Sequence, residues 1–563
     1  MVYWQPVRDA LAELVSELSL EEIEQLLDTP PDPSLGDVAF PTFRLAKTRR
    51  RPPAEIAREI AEALAARGFS ARADGGYVNV ALSRELAVHD ILRETAAPDF
   101  ARFSWGVRKR VVIDMSSPNI AKPFGVGHLR STVIGQAIRN LLLRAGYEVL
   151  RVNHIGDWGT QFGKLMAAYA MWGIPEDAPD KIRAYLELYV RFHEEAERRP
   201  ELEDEGRRWF KRLEEGDPEA RKLWRMFVDE SLKEFMRIYD RLGVSFEYVL
   251  GESFYNDQIP GVLEEVRAKG LLEESEGAFV VRIGDDLPPA LLLKSDGTTL
   301  YLTRDLATAL YRKNVLGADL LLYVVGREQS LHFEQLRGVL RRMGYPWAAA
   351  IVHIPFGLLR FGGKKLSTRR GRVIFLEEVL DEAKARALQI LEEKSPHLAD
   401  KEAVAEAIGL GAVIFHDLRQ SRLHDIDFDM EEALSFEGET GPYVQYTHAR
   451  AKSLLRRADA AYEDVLADVP SDVRGISDRG WELLKLVAAY PRAVRKGIEL
   501  YEPSAVARHI LDVAKAFNRY YQEERILVED AQERRAKLAL VARVARVLAD
   551  GLEVLGLKVL EEI

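Results

Sequence analysis

Ser116-Ser117-Pro118-Asn119-Ile120-Ala121-Lys122-Pro123-Phe124-Gly125-Val126-Gly127-His128-Leu129-Arg130-Ser131 follows the apolar run Val111-Val112-Ile113 and opens a helix-like run from Val133 to Ala145. A strand, a glycine-bearing turn and a helix in that order leave backbone N–H groups unpaired. They also aim the positive end of the helix dipole at whatever sits there, which suits phosphate. Lys122 and His128 add mobile positive donors beside the turn. A second stretch, Lys364-Lys365-Leu366-Ser367-Thr368-Arg369-Arg370-Gly371, is a glycine-flanked basic loop able to close over the same phosphates. Together the two read as an ATP site.

Working outward, a strand over 110–115, a helix over 125–145 and a strand over 148–154 form one half of a doubly wound α/β sheet. Long charged helices, for example 181–198 and 222–242, then interrupt it from about 160 to 290. The second half resumes with a helix over 300–313, a strand over 319–326, a helix over 332–343 and a strand over 350–355. Residues 1–105 read as a small α/β module, with helices over 7–18 and 53–67 and a strand at 77–82. From 376 the strands vanish and helical patterns run almost to Ile563, as in an all-α helical bundle. The expected divisions are 1–105, then 106–375 with the insertion at about 160–290, then 376–563.

Composition narrows the function classes. A chain of 563 residues is too long for one core. The absence of any run of about 18 apolar residues argues against a membrane span. Met1 to Pro6 lack the basic and apolar regions of a secretion signal. With 0 cysteines, disulfides, thiolate zinc sites and cysteine catalysis are excluded. No metal ligands are assigned. A net charge of −11 speaks against indiscriminate coating of nucleic acid, while local basic patches still suffice for phosphate contacts.

The stretch from Ser116 to Ser131 resembles the HIGH motif of class I aminoacyl-tRNA synthetases, in the version found in arginyl-tRNA synthetases, and Lys364 to Gly371 stands in the place of the KMSKS loop. Gly125 occupies the position of the first histidine of HxGH, and Thr368 that of the second lysine of KMSKS. Lys122 and Lys364 lie close enough in sequence to supply replacement charge. The resemblance covers nearly the whole chain. It implies a class I Rossmann-type catalytic domain with an insertion, an N-terminal module that contacts the tRNA D-loop and a helical anticodon-binding domain. It further implies an arginine–tRNA ligase that uses ATP and Mg²⁺, binds L-arginine and tRNA-Arg, and needs tRNA before it forms the adenylate. A cytoplasmic monomer without membrane contact fits the same family.

Residue by residue, Lys122, His128, Lys364 and Lys365 are the catalytic candidates, and Gly125, Gly127, His128 and Ser367 the ATP-binding ones. Tyr301 and Asp305 lie at i and i+4 on one helix face, an aromatic wall beside a carboxylate, which is what a planar guanidinium requires. Without the family that spacing is common on helix surfaces. The resemblance carries arginine binding onto Tyr301, Asp305 and Gln329, with Glu252 as a second carboxylate, and places Asp114 and Asn119 near the substrate's backbone groups. In His154-Ile155-Gly156-Asp157-Trp158-Gly159-Thr160-Gln161, His154 and Gln161 are pocket or tRNA-end residues, or the segment only shapes a turn. Tyr443, Tyr446 and Arg450 fall at i, i+3 and i+7, a stripe suited to stacking unpaired bases, although such stripes also serve as core packing. The resemblance places anticodon-loop contacts there and a D-loop contact at Asn79. The basic run Lys47, Arg49, Arg50 and Arg51 is either a phosphate contact or a solvated helix end. The final residues, 557–563, do not match the family's ending. Three rivals remain at this point: a catalytically inactive tRNA-binding paralogue, suggested by Gly125 and Thr368; a class I synthetase for another amino acid; and a cofactor adenylyltransferase, which would leave the tyrosine stripe and the helical tail unexplained.

Overall fold

The computed structural model describes residues 2–175, 177–284, 287–295, 297–361, 364–365 and 374–563, the side chains of Val2, Pro33, Phe361, Lys364 and Lys365 excepted. The chain divides into two compact units. One comprises residues 1–100, 447–492 and 512–548, the other residues 101–446, 493–511 and 549–563.

The second unit is built on β1 (Arg110–Asp114), β2 (Glu148–Asn153), β3 (Tyr248–Val249), β4 (Leu320–Gly326) and β5 (Ile351–Phe356). These strands pair in parallel in the spatial order β5-β4-β1-β2-β3. Val111, Val112 and Ile113 are all buried, the continuous apolar run that a parallel strand covered on both faces demands. Strand order reverses between β1 and β4. The loops leaving their carboxyl ends therefore diverge and leave a crevice, where open α/β sheets place their ligands. Helix Leu129–Arg144, buried continuously from Leu129 to Ile138, covers the first crossover. Helices Tyr301–Asn314 and Ser330–Arg342 cover the second, packing Leu302, Leu306, Leu336 and Val339 into one core with Val112 and Leu321.

Between the halves stand helices Thr160–Trp172, Lys181–Arg198, Glu201–Glu214 and Pro218–Leu242. Their ends are set by local chemistry. Asp180 accepts the Arg183 N–H at 2.8 Å and Asp217 the Ala220 N–H at 2.9 Å, each capping a helix start. Gly243 ends the longest of them in the left-handed conformation, φ 65°.

Two features depart from the sequence expectation. Residues 273–293, expected within a helical insertion, instead form an antiparallel sheet of Glu273–Ser275, Ala278–Val281 and Ala290–Leu293. A further strand, Ile426–Phe428, lies beyond residue 376 and pairs in parallel with Leu359–Phe361. Both consist of segments too short to show a period of two, and their pairing partners are settled only by tertiary contact.

In the first unit, strand Tyr77–Ala81 is the centre of an antiparallel sheet flanked by Val38–Pro41 and Ser70–Asp74. Helix Pro53–Ala65 buries Ile56, Ile60 and Leu64. The buried Arg543 donates to the carbonyls of Leu92 at 3.0 Å, Val465 at 2.8 Å and Asp468 at 2.8 Å, and burial lowers its pKa to about 10.

Candidate active site

The turn after β1 is held by side chains rather than by regular structure. Ser116, Ser117 and Ala121 adopt φ of 73°, 52° and 56°, a region that residues bearing a Cβ rarely occupy. The Ser116 N–H donates to Ser131 Oγ at 2.9 Å, and Ser131 Oγ donates to the Val324 carbonyl on β4 at 2.6 Å. The Ser117 hydroxyl donates to Asp114 Oδ1 at 2.8 Å. These bonds tie the turn to both strands that bound the crevice.

The chain that follows the basic loop, Ile374 to Leu376, lies beside this turn. The Val126 N–H donates to the Ile374 carbonyl at 3.2 Å, and the Leu376 N–H to the Phe124 carbonyl at 2.9 Å. Gly125 thereby bridges Phe375, the second residue described after the loop. On the other side, Lys364–Lys365 pairs antiparallel with Leu359–Phe361. Ser367 lies outside the described residues, as do the side chains of Lys364 and Lys365. Arg130, two residues past His128, is 1% exposed and secures this arrangement. Its Nη1 donates to the carbonyls of Gly357 at 2.7 Å and His424 at 2.8 Å, while its Nε lies 2.9 Å from Asp417 Oδ2.

His128 does not bring a positive charge, contrary to the expectation. Burial, reinforced by the nearby Lys122 ammonium, pushes its pKa down to about 4, so the imidazole is neutral at pH 7. Its Nδ1 is buried with no hydrogen-bond partner among the described residues, so a polar group remains for a ligand to satisfy. Lys122 is half-buried with its Nζ 5.5 Å from the centre of the Tyr189 ring, and desolvation lowers its pKa. Gly127 is exposed, and a Cβ built on it meets no atom of the described residues within 4 Å, so a ligand can approach it closely.

The remaining predicted residues line the carboxyl edge of the same sheet. Asp114, at the end of β1, pairs with the buried Arg312 at 2.8 Å. His154, after β2, donates from Nδ1 to the Leu250 carbonyl at 3.1 Å, which leaves Nε2 as an acceptor. Burial lowers its pKa. The Asn119 side chain lies across Gly156, where a Cβ would come within 2.1 Å of its Oδ1. Glu252, after β3, pairs with Arg304 at 3.0 Å, and Asp305 accepts from His332 Nε2 at 2.6 Å. Despite Arg304, burial together with the negative charges of Asp305 and Asp157 raises the Glu252 pKa to about 7. Asp157 itself accepts the Ser253 N–H at 2.8 Å and the Ser253 hydroxyl at 2.5 Å. Tyr301 is 69% exposed at the start of its helix, and Gln329 is exposed just past β4. Four carboxyl groups, Asp114, Asp157, Glu252 and Asp305, thus stand at this edge against the two guanidinium groups of Arg304 and Arg312.

Arg304, Arg312, His332 and Asp157 were not anticipated. Arg304, Thr308 and Arg312 recur at every fourth residue on a helix that must bury one face, which is the signal a sequence could offer.

The expected tRNA contacts fare unevenly. Asn79 is 2% exposed on the central strand, between Ala39 and Arg72, so it presents little surface to an RNA base. Arg49 is taken up by Glu17 at 2.7 Å and the Leu14 carbonyl at 3.3 Å, and Arg51 by Glu59 at 2.6 Å, whereas Lys47 and Arg50 are exposed. Tyr443, Tyr446 and Arg450 share helix Gly441–Arg457 and are half-buried. Tyr446 meets the edge of Phe436 at 6.2 Å, and Arg450 lies over the Tyr521 ring at 5.0 Å. Among the described residues no helix is long and apolar enough to cross a membrane, and no group of three metal-ligating side chains converges.

Three family models match the chain: "tRNA synthetases class I (R), catalytic domain" over residues 95–430, "DALR anticodon binding domain" over 444–563, and "Arginyl tRNA synthetase N terminal domain" over 3–82. The arginine–tRNA ligase of Ligilactobacillus salivarius is 51% identical over 548 residues, 96% of each chain. That of Enterococcus faecalis is 50% identical over 558 residues, 98% of this chain and 97% of its own. Among solved structures, arginyl-tRNA synthetase from Thermus thermophilus superposes with a TM-score of 0.85 at 28% identity, over 100% of both chains.

Proposed function

Because the chain belongs to the arginyl-tRNA synthetase family, it is an arginine–tRNA ligase, and we propose that the turn from Asp114 to His128 and the acidic crevice beside it divide the reaction between them. The family uses ATP. On this reading the triphosphate lies along the turn, against the N-terminus of helix Leu129–Arg144, with neutral His128 offering a hydrogen bond and Lys122 a charge. Lys364, Lys365 and Ser367 come from the loop whose end is bonded to that turn. The bonds that join Val126 and Phe124 of the turn to Ile374 and Leu376, just past the basic loop, are the observation that carries the assignment.

The arginine guanidinium enters between Asp305 and Glu252, with Tyr301 and Gln329 at the rim, and its backbone groups turn toward Asn119 and His154. The amino acid's carboxylate oxygen then attacks the α-phosphorus of ATP, forming arginyl-adenylate and releasing pyrophosphate. In the second step the terminal adenosine's 2′-hydroxyl attacks the arginyl carbonyl and AMP leaves. Such chemistry is accelerated by alignment and electrostatics rather than by covalent participation of the protein. Mg²⁺ would accompany the triphosphate and offset part of its charge, and no residue of this chain is assigned as its ligand.

Residues 1–105 are the D-loop module, 106–375 the catalytic domain with its insertion, and 376–563 the anticodon-binding domain, with Tyr443, Tyr446 and Arg450 as its tRNA contacts. The family resemblance supports a cytoplasmic monomer. Adenylate formation requires bound tRNA-Arg. Arginine-dependent ATP–pyrophosphate exchange, run with and without tRNA over a panel of amino acids, tests the whole reading. Exchange is expected with arginine and tRNA together; full exchange without tRNA removes the coupling, and exchange driven by another amino acid removes the pocket assignment.

A further inference from the structure

The strained residues of the phosphate turn are held largely from outside the sheet. Left-handed backbone at a residue with a Cβ persists only where its surroundings over-determine it. At Ala121, φ 56°, the N–H donates to Ser231 Oγ at 2.7 Å. The Ser231 hydroxyl proton goes to the Phe227 carbonyl at 2.7 Å, so the oxygen's orientation is fixed by its own helix. At Ser116, φ 73°, the side chain lies 2.6 Å from the Tyr239 hydroxyl. That hydroxyl accepts from Asn153 Nδ2 at 3.0 Å and shares its other hydrogen bond with Ser116 Oγ. Burial pushes the phenol pKa upward, keeping its proton in place. Ser116 Oγ in turn lies 2.8 Å from Thr132 Oγ1, which donates to the His128 carbonyl at 2.7 Å.

Ser231, Phe235 and Tyr239 recur at every fourth residue, one face of the insertion helix Pro218–Leu242. Phe235 and Tyr239 close on the edge of the Phe124 ring at 5.7 and 5.4 Å, and that ring meets His128 at 5.3 Å. One helix face thus touches the turn at its start, its middle and its glycine end.

We infer that this helix of the insertion is a working part of the ATP site: Ser231 and Tyr239 are positioning residues that hold the strained turn in the shape that accepts the triphosphate. Their hydrogen bonds to the turn end on Ser116 and Ala121, and not on Asp305 or Glu252, the carboxylates assigned to the guanidinium. The inference rests on the reading that the turn carries the phosphates.

The test uses the full-length enzyme with saturating tRNA, in pyrophosphate exchange. Ser231→Ala and Tyr239→Phe each remove one oxygen from a buried contact and are expected to raise KM for ATP about tenfold, with KM for arginine unchanged within about twofold. Ser231→Thr, which keeps the hydroxyl, is expected to behave as the parent. Ala121→Gly added to Ser231→Ala is expected to recover most of the loss, since glycine adopts a positive φ freely. Adenosine, lacking phosphates, is expected to bind the parent and these four variants equally. Unchanged KM for ATP in both single variants overturns the inference, as does a parallel rise in both KM values that Ala121→Gly fails to correct. If Ser231→Ala does not fold, Tyr239→Phe, which retains the ring packing, decides alone. His128→Asn separates the two layers: unaffected exchange there defeats the phosphate-turn reading itself, while lost exchange with unchanged KM for ATP in Ser231→Ala and Tyr239→Phe defeats only the role of the helix.

Discussion

Raising the pH from 6 to 8 is expected to increase kcat/KM for arginine about tenfold, through ionisation of Glu252. Its pKa of about 7 reflects burial and repulsion from Asp305 and Asp157, only partly offset by Arg304 at 3.0 Å. The carboxylate is therefore ionised in about one molecule in eleven at pH 6 and about ten in eleven at pH 8. The substrate guanidinium keeps its charge throughout, so its own ionisation does not contribute to the step. His128, with a pKa of about 4, is silent in this window. The sign extends to stability. A carboxyl whose folded pKa lies above its ordinary 4.5 contributes stability below that value and loses it as pH climbs through about 7. The loss is on the order of 3 kcal/mol, and bound arginine offsets it, so thermal stabilisation by arginine should be larger at pH 8 than at pH 6. The assay is tRNA-dependent exchange at limiting arginine from pH 5.5 to 8.5, alongside Glu252→Gln. The parent should show the step and the variant should be weak and flat. A flat parent profile, or the same step in Glu252→Gln, refutes the reasoning.

Asp417→Asn leaves the Arg130 guanidinium buried without its counter-charge and is expected to cost about 3–5 kcal/mol, seen as a lower melting temperature; a melting curve like the parent's contradicts the pairing. Lys122→Met is expected to raise KM for ATP more than KM for arginine, and equal effects on both substrates count against a phosphate role. Lys364→Ala should slow exchange, and an unchanged rate removes that lysine from the triphosphate. Tyr443→Ala is expected to raise KM for tRNA by about tenfold, the value of one lost base stack, with ATP binding intact in direct titration.

How much was legible in advance depends on the range of the interaction involved. The phosphate turn, the strand that precedes it and the helix that follows lie within one continuous stretch of chain. Local periodicity and backbone stereochemistry suffice there, and the expected elements appear with ends shifted by a few residues. The helices of the insertion were readable for the same reason. The strand Ile426–Phe428 was not, because three residues carry no period and their partner lies more than sixty residues earlier.

The site shows the same division. From sequence came the chemical inventory: the glycine turn, the basic loop, the two carboxylates, the tyrosine stripe. Only the fold decided what each group experiences. A histidine read as a cation is neutral because packing strips its water away, and Asn79 is withdrawn inside a sheet. Asp305 and Glu252 face each other's charge because the helix Tyr301–Asn314 packs against the segment that follows β3, and Ser231 reaches Ala121 across 110 residues of chain. Periodicity and motif are written in neighbouring residues, whereas desolvation and long-range pairing depend on what the folded chain brings within a few ångströms. That neighbourhood exists only in three dimensions.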